Sequence, residues 1–506
     1  MHHLPEEEGP SLDDVARRAA AVAAGRPLRV EGLRGGGRAF LIAAAYRARP
    51  STFLVVAPDG AAAEALTADL ALFLGESAST QALERRVHLF PGWDVPPFEP
   101  VSPSSAVVTD RIAALFHLLQ GRAPIVVATP EALAQRVPPR DVLAAAVRYL
   151  VEGDEIATEA LAAHLTSWGY QRVALVEDRG EFSVRGGLID VYPALEPLPL
   201  RLEMEGDRIE RIRAFDPDSQ RSRDAREELV LLPARELSLA HLAAAEARRT
   251  VETRALEIGM PRLERHALSD ALEHGLFVPG IEFLAPYVYG TMATLFDYLP
   301  EDTRLWVDEA ARVESGLDAA WAAAVAHAAE AEEARRFFAP PERLFLAPAD
   351  VRAATAPLPT VELDTLVGIG GSAGHARLTC YLLSDLASAR ATQATPSMKP
   401  LADRIRGFQA EGRRVVMAVP SAAQRTRLQK LLEQHEVHAA LASEPIPALL
   451  ASRDRAPVIV DGALSQGFRM PTEPWVFIGE EEIFGERRAP RRTRTVRAAD
   501  VLSSLA

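Results

Sequence analysis

The chain has little of several things, and each shortage narrows what it can be. It holds one cysteine, Cys380, in 506 residues. No intramolecular disulfide can form and thiolate zinc clusters are excluded, which fits a reducing compartment such as the cytoplasm. Its lysines are two, Lys399 and Lys430, in an Ala- and Arg-rich sequence of the kind a GC-rich genome encodes. Basic charge is not in excess: the formal net charge is −14. The chain as a whole is therefore not a basic nucleic-acid binder, although a local basic surface is allowed. Long apolar runs are missing; stretches such as 53–57 are far too short to span a bilayer. The start, Met1-His2-His3-Leu4-Pro5-Glu6-Glu7-Glu8, lacks the basic head and apolar run of a signal peptide. Neither a His-x3-His pair nor a nucleophile elbow is found, so metal-hydrolase and serine-hydrolase chemistry have no support, and no metal ligands are assigned.

What is present is an ordinary globular composition, 48% hydrophobic and 25% charged. At roughly 100–200 residues per domain the length suggests about three to five domains. The first part alternates helical and strand signals: a helix over 16–24, a strand at 29–31 entering a glycine turn, a helix over 39–47, a strand over 52–57 and a helix over 61–73. A strand at 87–90, a proline-broken stretch 91–103, a helix over 109–119 and a strand over 124–128 follow. That alternation predicts a parallel, doubly wound sheet.

The pattern changes near residue 147. A helix over 157–168 precedes short strand signals at 171–177, 180–184 and 187–192. A hairpin then joins 200–205 to 208–215 through Gly206-Asp207. This reads as a compact α+β insert, 147–235. Mostly helical sequence runs from 237 to 274. A strand at 304–307 ends in Asp308-Glu309, a long helix covers 315–336, and 361–367 and 379–383 are extended. A polar linker, 389–400, leads into a last α/β region with helices at 401–409 and 422–435 and strands at 414–419, 457–460 and 475–479. The end, 487–497, is Arg-rich; its run 487–494 could touch phosphate, and a solvated linker is the plainer reading.

One motif is almost complete. Gly32-Leu33-Arg34-Gly35-Gly36-Gly37-Arg38-Ala39 sits between a strand and a helix, the setting of a phosphate loop. A working loop needs Lys and Ser/Thr at its end, to reach the β/γ-phosphates and to ligate Mg²⁺. Here those positions are Arg38 and Ala39. Ala has no lone pair for the metal, and the planar guanidinium is not equivalent to an ammonium. The loop therefore reads as a degenerate nucleotide site (Gly32, Gly35, Gly37, Arg38), a glycine turn kept because strand and helix must approach closely. Asp308 and Glu309 are placed as the matching degenerate acidic pair.

Five stretches carry a resemblance. They are the loop 32–39; Leu89-Phe90-Pro91-Gly92-Trp93-Asp94-Val95-Pro96-Pro97-Phe98-Glu99; and Ile125-Val126-Val127-Ala128-Thr129-Pro130-Glu131-Ala132-Leu133. The fourth runs from Gly169-Tyr170 through Arg179-Gly180-Glu181-Phe182-Ser183-Val184-Arg185-Gly186-Gly187-Leu188-Ile189-Asp190-Val191-Tyr192-Pro193 to Phe215-Asp216-Pro217-Asp218-Ser219-Gln220. The fifth is Leu464-Ser465-Gln466-Gly467-Phe468 with Ile478-Gly479-Glu480-Glu481-Glu482-Ile483-Phe484-Gly485. Together they resemble the N-terminal region of the bacterial transcription-repair coupling factors, itself similar to the first domains of the excision-repair helicase UvrB.

The resemblance implies a UvrB-like, RecA-like parallel-sheet domain with a degenerate phosphate loop, interrupted by an α+β insert and followed by a smaller α/β domain. Its expected division is 1–146 (first half of the UvrB-like domain), 147–235 (insert that docks the damage sensor UvrA), 236–384 (second half), 385–480 (third domain) and 481–506 (Arg-rich linker and helix). The implied role is a catalytically inactive scaffold that brings excision repair to stalled RNA polymerase. Arg172, Glu181, Phe182 and Arg185 are the expected UvrA-binding residues, because Arg forms bidentate, charge-assisted bonds to carboxylates and dominates interface hot spots with aromatics. In the full-length family this docking surface looks autoinhibited until the motor acts. No cofactor is expected for this chain; ATP, Mg²⁺, RNA polymerase and double-stranded DNA belong to domains that would follow, and the chain reads as a monomeric, cytoplasmic front part of a longer protein. Trp93 and Phe98 are expected to pack their loop onto the sheet rather than to stack on single-stranded DNA. The alternative reading is an NTP-dependent, UvrB-like repair enzyme with an atypical loop; a third is an α/β DNA-binding protein without ATPase activity.

Overall fold

The computed structural model describes residues 10–77, 80–242, 245–367, 374–384, 386, 398–452 and 454–485. The Arg-rich run 487–494 and most of the expected linker 389–400 lie outside the described residues.

The first half lays down four parallel strands, β1 (Leu28–Glu31), β2 (Phe53–Val56), β3 (Val87–Phe90) and β4 (Ile125–Ala128), between helices α1 (Leu12–Ala20), α2 (Gly37–Ala48), α3 (Gly60–Leu74) and α4 (Ser105–Leu119). β2 and β4 are unbroken apolar runs because both of their faces are covered, as parallel sheets require. The first helix starts four residues earlier than its apolar pattern suggests. Ser11 caps it, its hydroxyl oxygen accepting from the Asp14 N–H at 3.2 Å.

The chain leaves through β5 (Arg148–Val151) and builds the insert from a helix, Thr158–Ser167, and six strands: β6 (Gln171–Arg172), β7 (Glu181–Arg185), β8 (Leu188–Val191), β9 (Leu200–Glu205), β10 (Arg208–Phe215) and β11 (Ser222–Arg226). They form one sheet in the order β11-β10-β9-β8-β7-β6, antiparallel except for the β6–β7 pair. β12 (Glu228–Leu231) pairs antiparallel with β5, so exit and return form a two-stranded ribbon.

On its return the chain adds β13 (Arg304–Asp308), β14 (Thr360–Asp364) and β15 (His375–Arg377) to the first sheet. The completed order is β15-β1-β14-β13-β2-β4-β3, all parallel. The long helix between β13 and β14 is Ala310–Glu333, starting directly behind the acidic pair. A third sheet, β16-β20-β21-β17-β19-β18, comprises β16 (Tyr381–Leu382), β17 (Arg414–Ala418), β18 (Ala440–Leu441), β19 (Val458–Val460), β20 (Phe468–Arg469) and β21 (Trp475–Ile478). One buried apolar cluster runs from α1–α3 and the first sheet into Val416, Leu464, Phe468 and Phe477, so the first and third sheets share a core.

Two expectations need correction. Only Gln171–Arg172 of the stretch 171–177 pairs as a strand; the rest crosses one face of the insert sheet, where Ser183 Oγ–H donates to the Ala174 carbonyl at 3.2 Å and Val176 is fully buried. Phe98 does pack as a core residue, with Trp93 partly buried beside it, but against the helical segment rather than the sheet: both rings meet Phe283, at centroid separations of 5.6 (Trp93) and 5.4 Å (Phe98).

Candidate functional site

The insert places its polar motif on a hairpin. Gly186 turns the chain with φ 59°. A β-carbon at Gly187 would stand 2.9 Å from the Met204 carbonyl oxygen, so the tight return of β8 beside β9 requires glycine there. The register sets Phe182 opposite Val191, Ser183 opposite Asp190 and Val184 opposite Ile189. Side chains alternate across the sheet. Phe182, Ile189 and Val191 therefore enter the core against the helix Thr158–Ser167, and Ser183, Arg185 and Asp190 share the other face.

Asp190 is the anchor of that face. It is 1% exposed, and its carboxylate accepts three charge-assisted bonds. Arg201 on β9 gives two, from Nε at 2.7 Å and Nη2 at 2.9 Å, and Arg185 gives one from Nη2 at 2.6 Å. Arg201 is mostly buried, its guanidinium 4.7 Å from the Phe215 ring centroid, whereas the Arg185 side chain is 44% exposed. A buried carboxylate thus holds an inner arginine as filling and an outer arginine at the rim, pre-oriented with one nitrogen engaged. Pre-orientation lowers the ordering cost of a later contact.

The four expected docking residues separate accordingly. Arg185 is at the surface. Arg172 is exposed too, on the wall of an open cleft of about 450 Å³ that also touches Glu159, Thr166, Glu273 and His274. Phe182 is a correction: it is fully buried in the insert core and offers no face to a partner. The Glu181 carboxylate accepts the Glu177 and Asp178 N–H groups, both at 2.9 Å, and closes the loop before β7. Arg179 stacks on Tyr192 at 5.2 Å and donates to the Glu196 carbonyl.

The residue that sequence reasoning missed is Arg111. It is fully buried on α4, and it ion-pairs with Glu236 and donates to the Pro91 carbonyl at 2.9 Å and Gln135 Oε1 at 3.0 Å. Its guanidinium also lies 4.5 Å from the Phe90 ring centroid. It thereby joins the Phe90-Pro91-Gly92-Trp93 stretch to the segment that follows the returning strand β12. The signal was its phase: Val108, Arg111, Leu115 and Leu118 lie at core spacing on one helix. Beside it, Arg235 pairs with Glu282 at 3.2 Å and covers the Phe277 ring, fastening the same junction.

The degenerate loop closes on itself. Arg38 Nη1 donates to Asp308 Oδ2 at 2.9 Å and Nη2 donates to Glu309 Oε1 at 2.8 Å, with Thr365 Oγ1 as a third partner. The guanidinium stands against both carboxylates that would serve Mg²⁺ in an intact site. Ala39, at the hydroxyl position, is fully buried. These residues do not fit a nucleotide·Mg²⁺ complex: its cation would have to displace Arg38 from the acidic pair, with no hydroxyl to receive it. Burial pushes the Asp308 carboxyl up to about 6, while Arg38 pulls the other way.

That geometry gives an expected result. Arg38→Ala leaves two facing acids and should cost about 3 kcal/mol at pH 7.5, the low end for breaking a buried pair. Asp308 already titrates above its ordinary 3.8, and losing Arg38 raises it further. The folded variant therefore binds a proton that its unfolded chain does not, and it regains stability as pH falls through the folded value. Urea unfolding at pH 7.5 and 5.0 should show the deficit shrinking at the lower pH. An equal deficit at both would contradict the arrangement.

The UvrB interaction domain matches residues 149–237, and the domain described as MFD, D3 domain matches residues 408–483. A transcription-repair-coupling factor from Myxococcus xanthus is 34% identical over 488 residues, covering 94% of this chain and 40% of that protein. The protein of the same name from Escherichia coli is 27% identical over 509 residues, covering 97% of this chain and 41% of its own length. The chain thus spans about 40% of the length of these relatives. With both domains matched and nearly all of its residues aligned, the chain corresponds to the N-terminal region of the transcription-repair-coupling factors.

Proposed function

We propose that this chain is the docking scaffold of transcription-coupled repair: its insert binds UvrA through Arg185 and Arg172, and it is itself catalytically inactive. The observation that carries the reading is the Arg185–Asp190–Arg201 cluster, a half-exposed arginine held at the rim of the UvrB interaction domain by a buried acid. The matching group on UvrA is a carboxylate, the partner that a guanidinium fork binds best. The Arg38 closure supports inactivity. RNA polymerase, double-stranded DNA, ATP and Mg²⁺ fall, in this reading, to parts of the full-length relatives outside the chain. The working division is 1–146 with 236–384 as the interrupted first domain, 147–235 as the docking insert and 385–480 as the third domain.

The test is UvrA binding to the immobilised chain. Arg185→Ala should weaken Kd at least tenfold, and Arg427→Ala, an exposed residue on the helix Ala422–Glu433, should change it less than twofold. Equal loss in both, or in neither, would remove Arg185 from the site.

A further inference from the structure

The glycine turn of the first sheet is covered by chain from the third. At Gly35 a β-carbon would stand 2.8 Å from Leu382 Cδ2 and 3.0 Å from Gln466 Cβ. At Gly36 it would stand 2.6 Å from Leu464 Cδ1 and 3.0 Å from the Phe468 ring, and at Gly37 2.9 Å from Cys380 Sγ. The Gly36 N–H, a donor that a phosphate would need, is given instead to the Gln466 carbonyl at 3.3 Å. Three consecutive glycines are thus each in contact with third-sheet side chains or the strand leading into it.

Both surfaces are held ready for this contact. Behind the turn, Phe40 and Phe73 of α2 and α3 meet Phe477 at 5.1 Å, and Phe468 stacks on Phe477 at 5.2 Å. Asp69 on α3, buried, accepts both the Ser465 N–H at 2.7 Å and its hydroxyl at 2.6 Å. On the opposite side Glu482 accepts the N–H groups of Gly467 and Gly479, each at 2.9 Å, and fixes the shape of the covering loop.

We propose that the glycine turn 35–37 is a protein-docking socket whose ligand is the segment 464–470 of the same chain, and that this contact sets where the third sheet sits on the first. The glycines are then required by the close approach of that segment, not by phosphate. Segment and anion compete for one N–H and one space, so an anion can enter only if the third sheet lifts. This goes beyond UvrA docking and does not depend on it.

The sole cysteine reads the seam directly. Cys380 is 5% exposed beneath Gly37, and its thiol donates to the Arg34 carbonyl. In the full chain its reaction with a disulfide reagent such as DTNB should be slow, at least a hundredfold below the urea-unfolded rate. Gly36→Leu from one side and Leu464→Asp from the other should each speed labelling at least tenfold, with far-UV circular dichroism unchanged. Rapid labelling of the wild type, or folded variants that label at its rate, would overturn the socket. Should both variants fail to fold, hydrogen exchange on the wild type decides: peptides spanning 33–40 and 463–470 should both be protected, and exchange of either at the free-chain rate refutes the proposal.

Discussion

Arg111→Leu is expected to cost about 3–5 kcal/mol, the range for removing one partner of a buried ion pair. Arg111 is completely buried and Glu236 is 6% exposed, so neither can recruit water when the other is lost. The substitution strands the Glu236 carboxylate and also leaves the Pro91 carbonyl and Gln135 without their shared donor. Because Glu236 lies on the segment that leads from β12 back toward the first sheet, the loss should fall on the transition that unfolds that sheet. The double variant Arg111→Leu/Glu236→Leu should recover more than half of it, since apolar replacement of a buried pair is often close to neutral. Urea unfolding of the two single variants and the double closes the cycle. Single variants within 1 kcal/mol of wild type would show that the network is not structural.

Asp190→Ala should abolish UvrA capture and destabilise the insert together. Its carboxylate is the only buried charge that faces both Arg185 and Arg201 among the described contacts. Without it the inner arginine is left in a largely buried position beside Phe215, at a cost of about 3–5 kcal/mol. The outer one loses its orientation, so binding should fall at least tenfold even at temperatures where the variant is folded. Arg185→Ala should separate the two effects. Arg201 still gives Asp190 two bonds in that variant, so stability should stay within about 1 kcal/mol, as for other half-exposed ion pairs, while binding is lost. Asp190 is in this account a positioning residue. If Asp190→Ala weakens folding but leaves the affinity of its folded fraction unchanged, that role is excluded.

The strands and helices were legible where local pattern matched packing. β2 and β4 read as buried runs because both faces are covered. The hairpin β9–β10 was visible in its Gly206-Asp207 turn. The burial of Phe182 was legible in the alternation of apolar Phe182 and Val184 with polar Ser183 and Arg185, and it was the family resemblance that set Phe182 among the docking residues; what local pattern did not carry is the burial of Ser183 and Asp190 on the opposite face, where the stretch after β6 lies over them. The stretch 171–177 runs apolar like a short strand, and beyond Arg172 it instead wraps over the sheet, a choice made by contacts with Ser183 and Gln220.

At the degenerate loop, the substitutions at Arg38 and Ala39 could be read from the sequence. Their consequence could not. Arg38 meets acids 270 and 271 positions away, brought together by the parallel pairing of β13 and β14 beside β1. Arg111 was obscured because charge argued for the surface while helical phase argued for the core, and its partner Glu236 lies 125 positions on. The covering of the glycine turn by 464–470 depends on how two sheets dock, which no local pattern encodes.

The central claim is that a nucleotide-binding fold serves here as a protein-docking scaffold. Titration calorimetry tests it most directly, with the chain in the cell and either UvrA or ATP·Mg²⁺ in the syringe. The account predicts a saturable heat with UvrA and none with ATP·Mg²⁺ up to millimolar concentration. Saturable binding of ATP·Mg²⁺ together with no heat from UvrA would contradict it.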